Sequence, residues 1–290
     1  MLYGRNLAVI IGAQNSGTTS LFSYLAQHPK ICPCSVKEPA FFAGPASDVD
    51  NFERGLEWYR RLWSWRPNHL WGVEASPFYT MYDNAAKAAS RMCALRPEWR
   101  FKLIYLLRNP VDRIESEYRH GIPGGWIPRR YAAGNALEIF PPSLLTSRYA
   151  LHLREYRKRF SDNDVKLVLT EKLEGDPAGT VAEVLTFLEL DASSPIDISR
   201  QHNVSTQEYA LWIQALANET PMGRLLPLYR TLPNWSKRLI KTLPSQRIRL
   251  TPGQRDIAWR QLTEDVNFLQ DEFGIDVKRW RHDSVFRSDR

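Results

Sequence analysis

The sequence is poor in cysteine and has no apolar run long enough to cross a bilayer. Its three cysteines, Cys32, Cys34 and Cys93, are too few and odd in number for a disulfide framework. The Cys32/Cys34 pair also lacks the ligand count of a zinc site. The apolar run at 7–11 is too short for a membrane helix and is not followed by a cleavage-site pattern. We therefore expect free thiols and a cytoplasmic protein with no membrane partner.

Low-complexity segments and blocks of one charge sign are also missing. Apolar residues make up 43% of the 290 positions and charged residues 24%, which favours a chain that folds throughout. No linker divides the sequence, so we expect a single domain over residues 1–290. The net charge of +7 favours an anionic ligand, but the Lys and Arg residues are scattered. Without a zinc-finger spacing or an aromatic RNA-binding signature, no nucleic acid partner is expected.

Apolar runs of strand length alternate with helical patterns along the chain. This order predicts an α/β fold with a central parallel β-sheet flanked by helices, in which ligands bind beyond the carboxyl ends of the strands. A long loop is expected at Gly121 to Arg130, and irregular helices at Thr220 to Ser245. The predicted strands are 7–11, 70–74, 101–107 and 165–170, and the predicted helices are 18–27, 52–63, 111–120, 149–160 and one from the capping pair Thr251/Gln254 to Gly274.

The segment from Gly12 to Ser20 joins the first strand to the first helix. Glycines and small polar residues in this setting predict a phosphate-binding loop, because backbone N–H groups and the helix dipole both attract an anion. The glycine spacing matches that of a nucleotide triphosphatase P-loop. Thr18, however, stands where that motif requires lysine, which disfavours an ATPase or GTPase. A tight strand-to-helix turn without a ligand remains the alternative for this segment alone.

Several segments in the same order resemble the sulfotransferases that use 3′-phosphoadenosine 5′-phosphosulfate (PAPS), particularly the heparan sulfate and related bacterial carbohydrate enzymes. The loop is similar to their pattern G-x-x-K-x-G-T-[TS], which holds the donor's 5′-phosphosulfate. Asn15 departs from this pattern, because the family has a lysine there that stabilises charge on the leaving oxygen. The resemblance implies that the donor is bound by the loop residues Gln14, Asn15, Ser16, Gly17, Thr18, Thr19 and Ser20.

The segment Lys37-Glu38-Pro39-Ala40-Phe41-Phe42 resembles the K-E-P-x-F-F of the same enzymes. The resemblance implies that Glu38 is the general base, and the chemistry needs one because an acceptor hydroxyl loses its proton as it attacks sulfur. Lys37 is a candidate partial substitute for the missing loop lysine. A solvated surface role is the alternative for both residues.

The segment from Arg108 to Ser116 resembles the family's R-[ND]-P-x-D-R-[AL]-x-S. The resemblance implies that Arg108 and Ser116 bind the 3′-phosphate, for which a guanidinium offers two donors at once. Arg113 is expected instead to pair with Asp112 or Glu117. The segment at 247–252 occupies the place of the family's late donor-binding loop, so Arg247 and Arg249 are candidates for a second clamp on the 3′-phosphate.

Weaker matches extend the resemblance. Glu74-Ala75-Ser76-Pro77 is similar to an E-x-[ST]-P segment beside the acceptor site, and Tyr149-Ala150-Leu151-His152-Leu153 to a Y-A-x-x-L helix. Trp280 looks like a terminal structural tryptophan of bacterial members. Trp126 is a candidate for stacking on adenine or on a sugar.

The sequence therefore predicts a sulfotransferase that moves a sulfuryl group from PAPS to a hydroxyl, or less readily an amine, of a saccharide or small natural product. The product would be 3′-phosphoadenosine 5′-phosphate (PAP), and the chemistry requires no metal. Two alternatives remain open: a PAPS- or PAP-binding protein impaired by Asn15, and a P-loop kinase for a small molecule. The pattern selects neither a particular acceptor nor an oligomeric state.

Overall fold

A computed structural model describes residues 5–45, 49–132, 138–199, 248–278 and 280. Its described part contains a five-stranded sheet with strand order β2-β3-β1-β4-β5, in which all neighbours are parallel. The expected α/β class is confirmed. The strands are β1 (Arg5–Gly12), β2 (Ile31–Pro33), β3 (Trp71–Ala75), β4 (Trp99–Leu107) and β5 (Val165–Leu169).

Helices cover both faces of this sheet, because alternate residues of its central strands are apolar on both sides. Along β1, Leu7 and Val9 face one core while Ala8 and Ile10 face the other, and all four are buried. The helices are α1 (Thr18–Leu25), α2 (Gly55–Arg60), α3 (Asn84–Ala94), α4 (Pro110–Gly124), α5 (Pro141–Thr146), α6 (Tyr149–Arg157), α7 (Thr170–Gly175), α8 (Pro177–Phe187) and α9 (Pro252–Phe273).

The two cores differ in composition. Helices α1, α7 and α8 bury aliphatic side chains such as Leu21, Leu173 and Val184 against one face. The other face carries an aromatic core that includes Phe41, Tyr59 and contributions from α3, α6 and α9. A third cluster joins α4 to α9 beyond the sheet. The aromatic core lies directly under the segment that contains Glu38.

Two predicted elements need correction. The expected loop from Gly121 is helical as far as Gly124, where Gly125 ends α4 with a φ of 82°. At Gly121 the helix packs closely against Ile127: a Cβ there would lie 2.5 Å from the Ile127 side chain, which would have to move. The helix expected at 52–63 is a 3₁₀ turn (Phe52–Arg54) followed by the short α2. The stretch Thr220 to Ser245 lies outside the described residues.

Candidate anion-binding and transfer site

The loop from Gly12 to Gly17 forms the floor of the candidate site. Gly12 has a φ of 152°, and a Cβ on it would lie 1.9 Å from the Thr80 hydroxyl, so the turn requires glycine. Gly17 and Asn15 are also left-handed, with φ values of 87° and 64°. The Ala13 amide donates to the Leu106 carbonyl at 2.9 Å, which attaches the loop to the end of β4.

The loop delivers the N-terminus of α1 without a side-chain cap. Gly17 is the N-cap residue, so the first amides of α1 receive no side-chain cap. These amides have no partner inside the helix, and the helix dipole adds positive potential there. The buried atoms Ser16 Oγ and Gln14 Oε1 likewise lack a hydrogen-bond partner among the described residues. The helix N-terminus and the Ser16 hydroxyl can donate hydrogen bonds and so fit a phosphate or sulfate group, whereas Gln14 Oε1 is an acceptor and does not.

Two residues from neighbouring strands hold the loop by its carbonyls. Arg108, directly after β4, donates from Nη1 to the Asn15 carbonyl at 3.0 Å. Thr170, directly after β5, donates from its hydroxyl to the Ser16 carbonyl at 2.8 Å. Both bonds fix the loop's carbonyls to residues at the ends of β4 and β5. Arg108 thus adds a cation to the same edge of the sheet.

The segment after Arg108 is fixed by a partly buried carboxylate. The Asn109 amide donates to Glu171 Oε1 at 2.8 Å, while the Asn109 side chain accepts from the first amides of α4. Burial raises the pKa of Glu171, and the Asn109 amide and the Arg108 guanidinium act in the opposite direction. The position of Arg108 is therefore set by contacts on both sides of it.

Glu38 lies at the same edge of the sheet, in the segment that follows β2. Its side chain is 32% exposed, and one of its oxygens lies 3.5 Å from Lys37 Nζ. The backbone at Glu38 and Ala40 is left-handed, with φ values of 57° and 49°. An exposed carboxylate beside an anion-binding loop can accept a proton from a hydroxyl group of a ligand.

The Glu74-Ala75-Ser76-Pro77 segment, expected beside the acceptor site, carries two fully buried polar side chains, Glu74 and Ser76. Its place beside an acceptor stays a prediction. Glu74 accepts hydrogen bonds from the hydroxyls of Tyr59, Ser76 and Tyr79 at 2.6, 2.9 and 3.0 Å. Burial raises the pKa of Glu74 to about 7, and the three hydroxyls limit this rise.

Of the remaining candidates for the 3′-phosphate, Ser116 lies on α4 and Arg249 lies in the late segment. Ser116 is partly exposed on that helix. Arg249 is exposed, and the next residue, Leu250, donates its amide to Glu115 at 3.3 Å. The late segment therefore runs beside the residue that precedes Ser116. Arg247 lies outside the described residues.

Three other predictions concern structural roles. Arg113 is fully buried and pairs with Glu117 at 2.7 Å, as expected. Trp280 is buried and packs edge-on against Tyr149. The three cysteines are free. Trp126 is 47% exposed at the far end of α4, and its stacking role stays a prediction.

Sequence reasoning missed several residues that shape the site. Thr170 ends a predicted strand, and its place at a carboxyl end was the available signal. Arg255 was also missed; it pairs with Asp112 and Glu115 at 2.8 and 3.1 Å and so ties α9 to α4. Within the described ranges, no group of three His, Cys, Asp or Glu side chains could hold a metal ion. No helix there is long and apolar enough to span a membrane.

The sheet and the turn together define an α/β protein with a candidate anion-binding turn between β1 and α1. A family model described as "Sulfotransferase domain" matches residues 6–211. This match covers more than half of the chain. The chain belongs to the sulfotransferase domain family.

Individual relatives agree with this assignment. Human heparan sulfate glucosamine 3-O-sulfotransferase 6 is 33% identical over 192 residues, which are 63% of this chain and 52% of the relative. Mouse bifunctional heparan sulfate N-deacetylase/N-sulfotransferase 4 is 28% identical over 197 residues, 62% of this chain and 22% of the relative. The chain thus matches about half or less of these two proteins.

A solved structure supports the fold. The sulfotransferase from Alicyclobacillus acidocaldarius has a TM-score of 0.67 and 24% identity, over 96% of this chain and 99% of that one. At this identity the likeness concerns the fold alone.

Proposed function

We propose that the protein is a PAPS-dependent sulfotransferase that acts as a single domain in the cytoplasm. The observation that carries this proposal is the uncapped N-terminus of α1, with Arg108 bound to the Asn15 carbonyl and Glu38 at the same edge of the sheet. Family membership supplies the transfer chemistry. The donor provides an activated sulfuryl group. The residues of the chain bind the donor, orient it towards the acceptor and deprotonate the acceptor.

The loop and the start of α1 would bind the 5′-phosphosulfate. Gln14, Asn15, Ser16, Gly17, Thr18, Thr19 and Ser20 supply amides and short polar side chains, which offset negative charge on the transferring group without a metal. Asn15 offers a neutral donor where the family has a cation. Lys37 and Arg108 are two cations at this edge that would offset the charge on the leaving oxygen instead. We assign Arg108, Ser116, Arg247 and Arg249 to the 3′-phosphate.

Glu38 would remove the acceptor proton. As the acceptor oxygen forms its bond to sulfur, the bond from sulfur to the phosphate oxygen breaks, PAP leaves, and the proton passes to Glu38. The names of the two relatives include transfer to a glucosamine hydroxyl and to an amine. We propose a saccharide hydroxyl as the acceptor, with a small natural product as the alternative.

The test is calorimetric titration of the purified protein with PAP, with adenosine 5′-phosphate and ATP-Mg as comparisons. We expect PAP to bind with a Kd of about 1–10 µM, since charge-assisted contacts to two phosphates reach this range. Adenosine 5′-phosphate and ATP-Mg should bind at least tenfold more weakly. No PAP binding would refute the donor assignment, and stronger ATP-Mg binding would favour the kinase alternative.

The impaired-binder alternative rests on Asn15 and is separated from the enzyme by turnover. We expect PAP to form from PAPS in the presence of heparan sulfate oligosaccharides, measured by chromatography. PAP binding without any transfer to oligosaccharides or to a panel of small phenols and amines would support the impaired binder instead.

A further inference from the structure

A buried hydrogen-bond cluster lies beneath the segment that carries Glu38. At its centre is Glu74, with no exposed surface, which accepts hydrogen bonds from Tyr59, Ser76 and Tyr79. The proposed transfer chemistry does not use this carboxylate, and its burial costs free energy unless its partners offset the loss of water. A buried acid at the end of β3 therefore calls for an explanation.

Two hydroxyls of the cluster also hold the backbone of the Glu38 segment. Ser76 Oγ accepts from the Ala40 amide at 3.1 Å, and the Tyr79 hydroxyl accepts from the Phe42 amide at 3.4 Å. Each hydroxyl has one proton and donates it in a hydrogen bond to the Glu74 carboxylate, so the hydroxyl meets the segment only as an acceptor. Glu74 thus fixes the direction in which each hydroxyl offers its lone pairs to the segment.

The backbone of this segment needs such support. Left-handed φ values at Glu38 and Ala40 each cost on the order of 1 kcal/mol for residues other than glycine, so the surroundings must hold them. Asn51 also donates to the Pro39 carbonyl at 2.9 Å. The Phe41 ring stacks on Tyr59, with ring centroids 4.3 Å apart and planes 7° apart. Tyr59 is itself a donor to Glu74.

We propose that Glu74 is a positioning residue for the base: through Ser76 and Tyr79 it holds the left-handed backbone that points the Glu38 carboxylate into the transfer site. This inference rests on the proposed function of Glu38. It assigns to Glu74 and Ser76 a role beneath the site, in place of contact with the acceptor. Two hydrogen bonds in series link Glu74, at the end of β3, to the Ala40 amide, two residues after Glu38.

The variants that break the link are Ser76→Ala and Tyr79→Phe, and Ser76→Thr keeps the hydroxyl. Tyr156→Phe is the matched control, because Tyr156 is a fully buried tyrosine of the same core whose hydroxyl donates to the Tyr79 carbonyl at 3.0 Å. In the described part of the chain, the Tyr156 hydroxyl makes no hydrogen bond to Glu74 or to the Glu38 segment. All variants are compared with wild type as full-length chains.

We expect Ser76→Ala and Tyr79→Phe to lower kcat about 10- to 100-fold, since a displacement near 1 Å costs on this order. KM for PAPS and the Kd for PAP should stay within about twofold, because the donor loop is untouched. Ser76→Thr should retain most of the wild-type kcat. Tyr156→Phe should also retain the wild-type kcat, even where it lowers Tm as much as Ser76→Ala and Tyr79→Phe do. Unchanged kcat in both broken variants, or an equal loss in Tyr156→Phe, would overturn the inference.

Amide hydrogen exchange of the peptide at 36–45 supplies a readout that needs no turnover. Faster exchange in Ser76→Ala and Tyr79→Phe, but not in Tyr156→Phe, is expected, because the Ala40 and Phe42 amides lose their acceptors. Unchanged exchange would overturn the anchoring of the segment. If wild type forms no PAP, the proposed function fails in that measurement, while the exchange result still decides whether Glu74 and its partners hold the segment.

Discussion

Asn15 combines a backbone advantage with an electrostatic loss. Its φ of 64° lies in the left-handed region, which asparagine tolerates better than residues with longer side chains. The same side chain carries no charge, so it cannot offset a full negative charge on a leaving phosphate as a lysine would. Asn15 therefore suits the left-handed backbone of the loop but stabilises a negative leaving group less than a lysine would.

Asn15→Lys should raise kcat for sulfuryl transfer by about 10- to 100-fold, because one charge-stabilising donor is commonly worth ~10² in rate. It should also lower Tm slightly, because lysine fits the left-handed backbone less well. Asn15→Gly is the control, since it suits the backbone and adds no charge. Initial rates of PAP formation check both variants, and a fall in kcat for Asn15→Lys would mean that the site is built around asparagine.

Glu38→Gln should lower kcat by about 10²- to 10⁴-fold, the usual contribution of a positioned general base. PAP affinity should change less than about twofold, because Glu38 is not assigned to the donor. Glu53→Gln, the same change at an exposed position, serves as the control. Paired measurements of kcat and of PAP binding by calorimetry test this, and unchanged turnover would remove Glu38 as the base.

At the scale of elements, the apolar runs were enough to place the sheet. The cores of β1, β4 and β5 follow from runs such as residues 101–107, because strands buried on both faces leave a continuous apolar signal. Helix α3 was missed although Ala85, Ala88, Ala89 and Met92 recur on one buried face, because alanine is only a weak apolar signal in a sequence. The three-residue β2 was missed as well, because Ile31–Pro33 is too short for any pattern.

The site was predictable where it depends on one segment, and not where segments meet. The loop at 12–20 and Arg108 follow from local order and family resemblance. The bond from Thr170 to the Ser16 carbonyl spans 154 positions, and the bond from Ala40 to Ser76 spans 36. Such contacts depend on strand order, which the sequence pattern does not specify. The burial of Glu74 could not be inferred for the same reason.

Helix α9 gives a direct test of an element that was predicted from its cap. Thr251 Oγ1 accepts from the Gln254 amide at 3.2 Å, and Gln254 Oε1 accepts from the Thr251 amide at 3.0 Å. Thr251→Ala should lower the free energy of unfolding by about 1 kcal/mol, and Thr251→Ser should not.

The control for this cap is Thr263→Ala, in the interior of the same helix, where alanine is a better helix former. It should change the free energy of unfolding by less than about 0.5 kcal/mol or raise it. Urea denaturation followed by circular dichroism compares the three variants. Equal losses at positions 251 and 263 would argue against a special role for the cap.

At the scale of the whole molecule, Glu74 makes stability depend on pH. Its folded pKa of about 7 lies above its ordinary value of 4.5, so the folded state holds the proton more tightly than the unfolded state. This group therefore favours folding less as pH rises from about 5 to 7. Burial lowers the pKa of His152 to about 4, so the unfolded state holds the His152 proton more tightly. This group therefore lowers the free energy of unfolding as pH falls from 6.5 towards 4, the opposite sense to Glu74.

Glu74→Gln separates the two effects, because it removes only the carboxyl group. The free energy of unfolding of wild type minus that of Glu74→Gln should fall by up to ~3 kcal/mol between pH 5 and pH 7, from a pKa difference of about 2.5. Urea denaturation at several pH values measures this difference, and His152 cancels in it. A difference that stays constant or rises with pH would show that Glu74 is not destabilised by burial.

The position of β1 in the sheet has a consequence for how the chain acquires its fold. This strand lies between β3 and β4, with Asn6 opposite both Trp71 and Arg100, so one edge stays unpaired until β3 has been made and the other until β4 has been made, about a hundred residues into the chain. Closing such long loops costs entropy before any contact repays it, which makes parallel sheets of this kind slow to form. During synthesis, both edges of the apolar strand before the candidate anion-binding turn stay unpaired until β3 has been made. Protecting that strand from other chains in this interval is therefore part of making an active molecule.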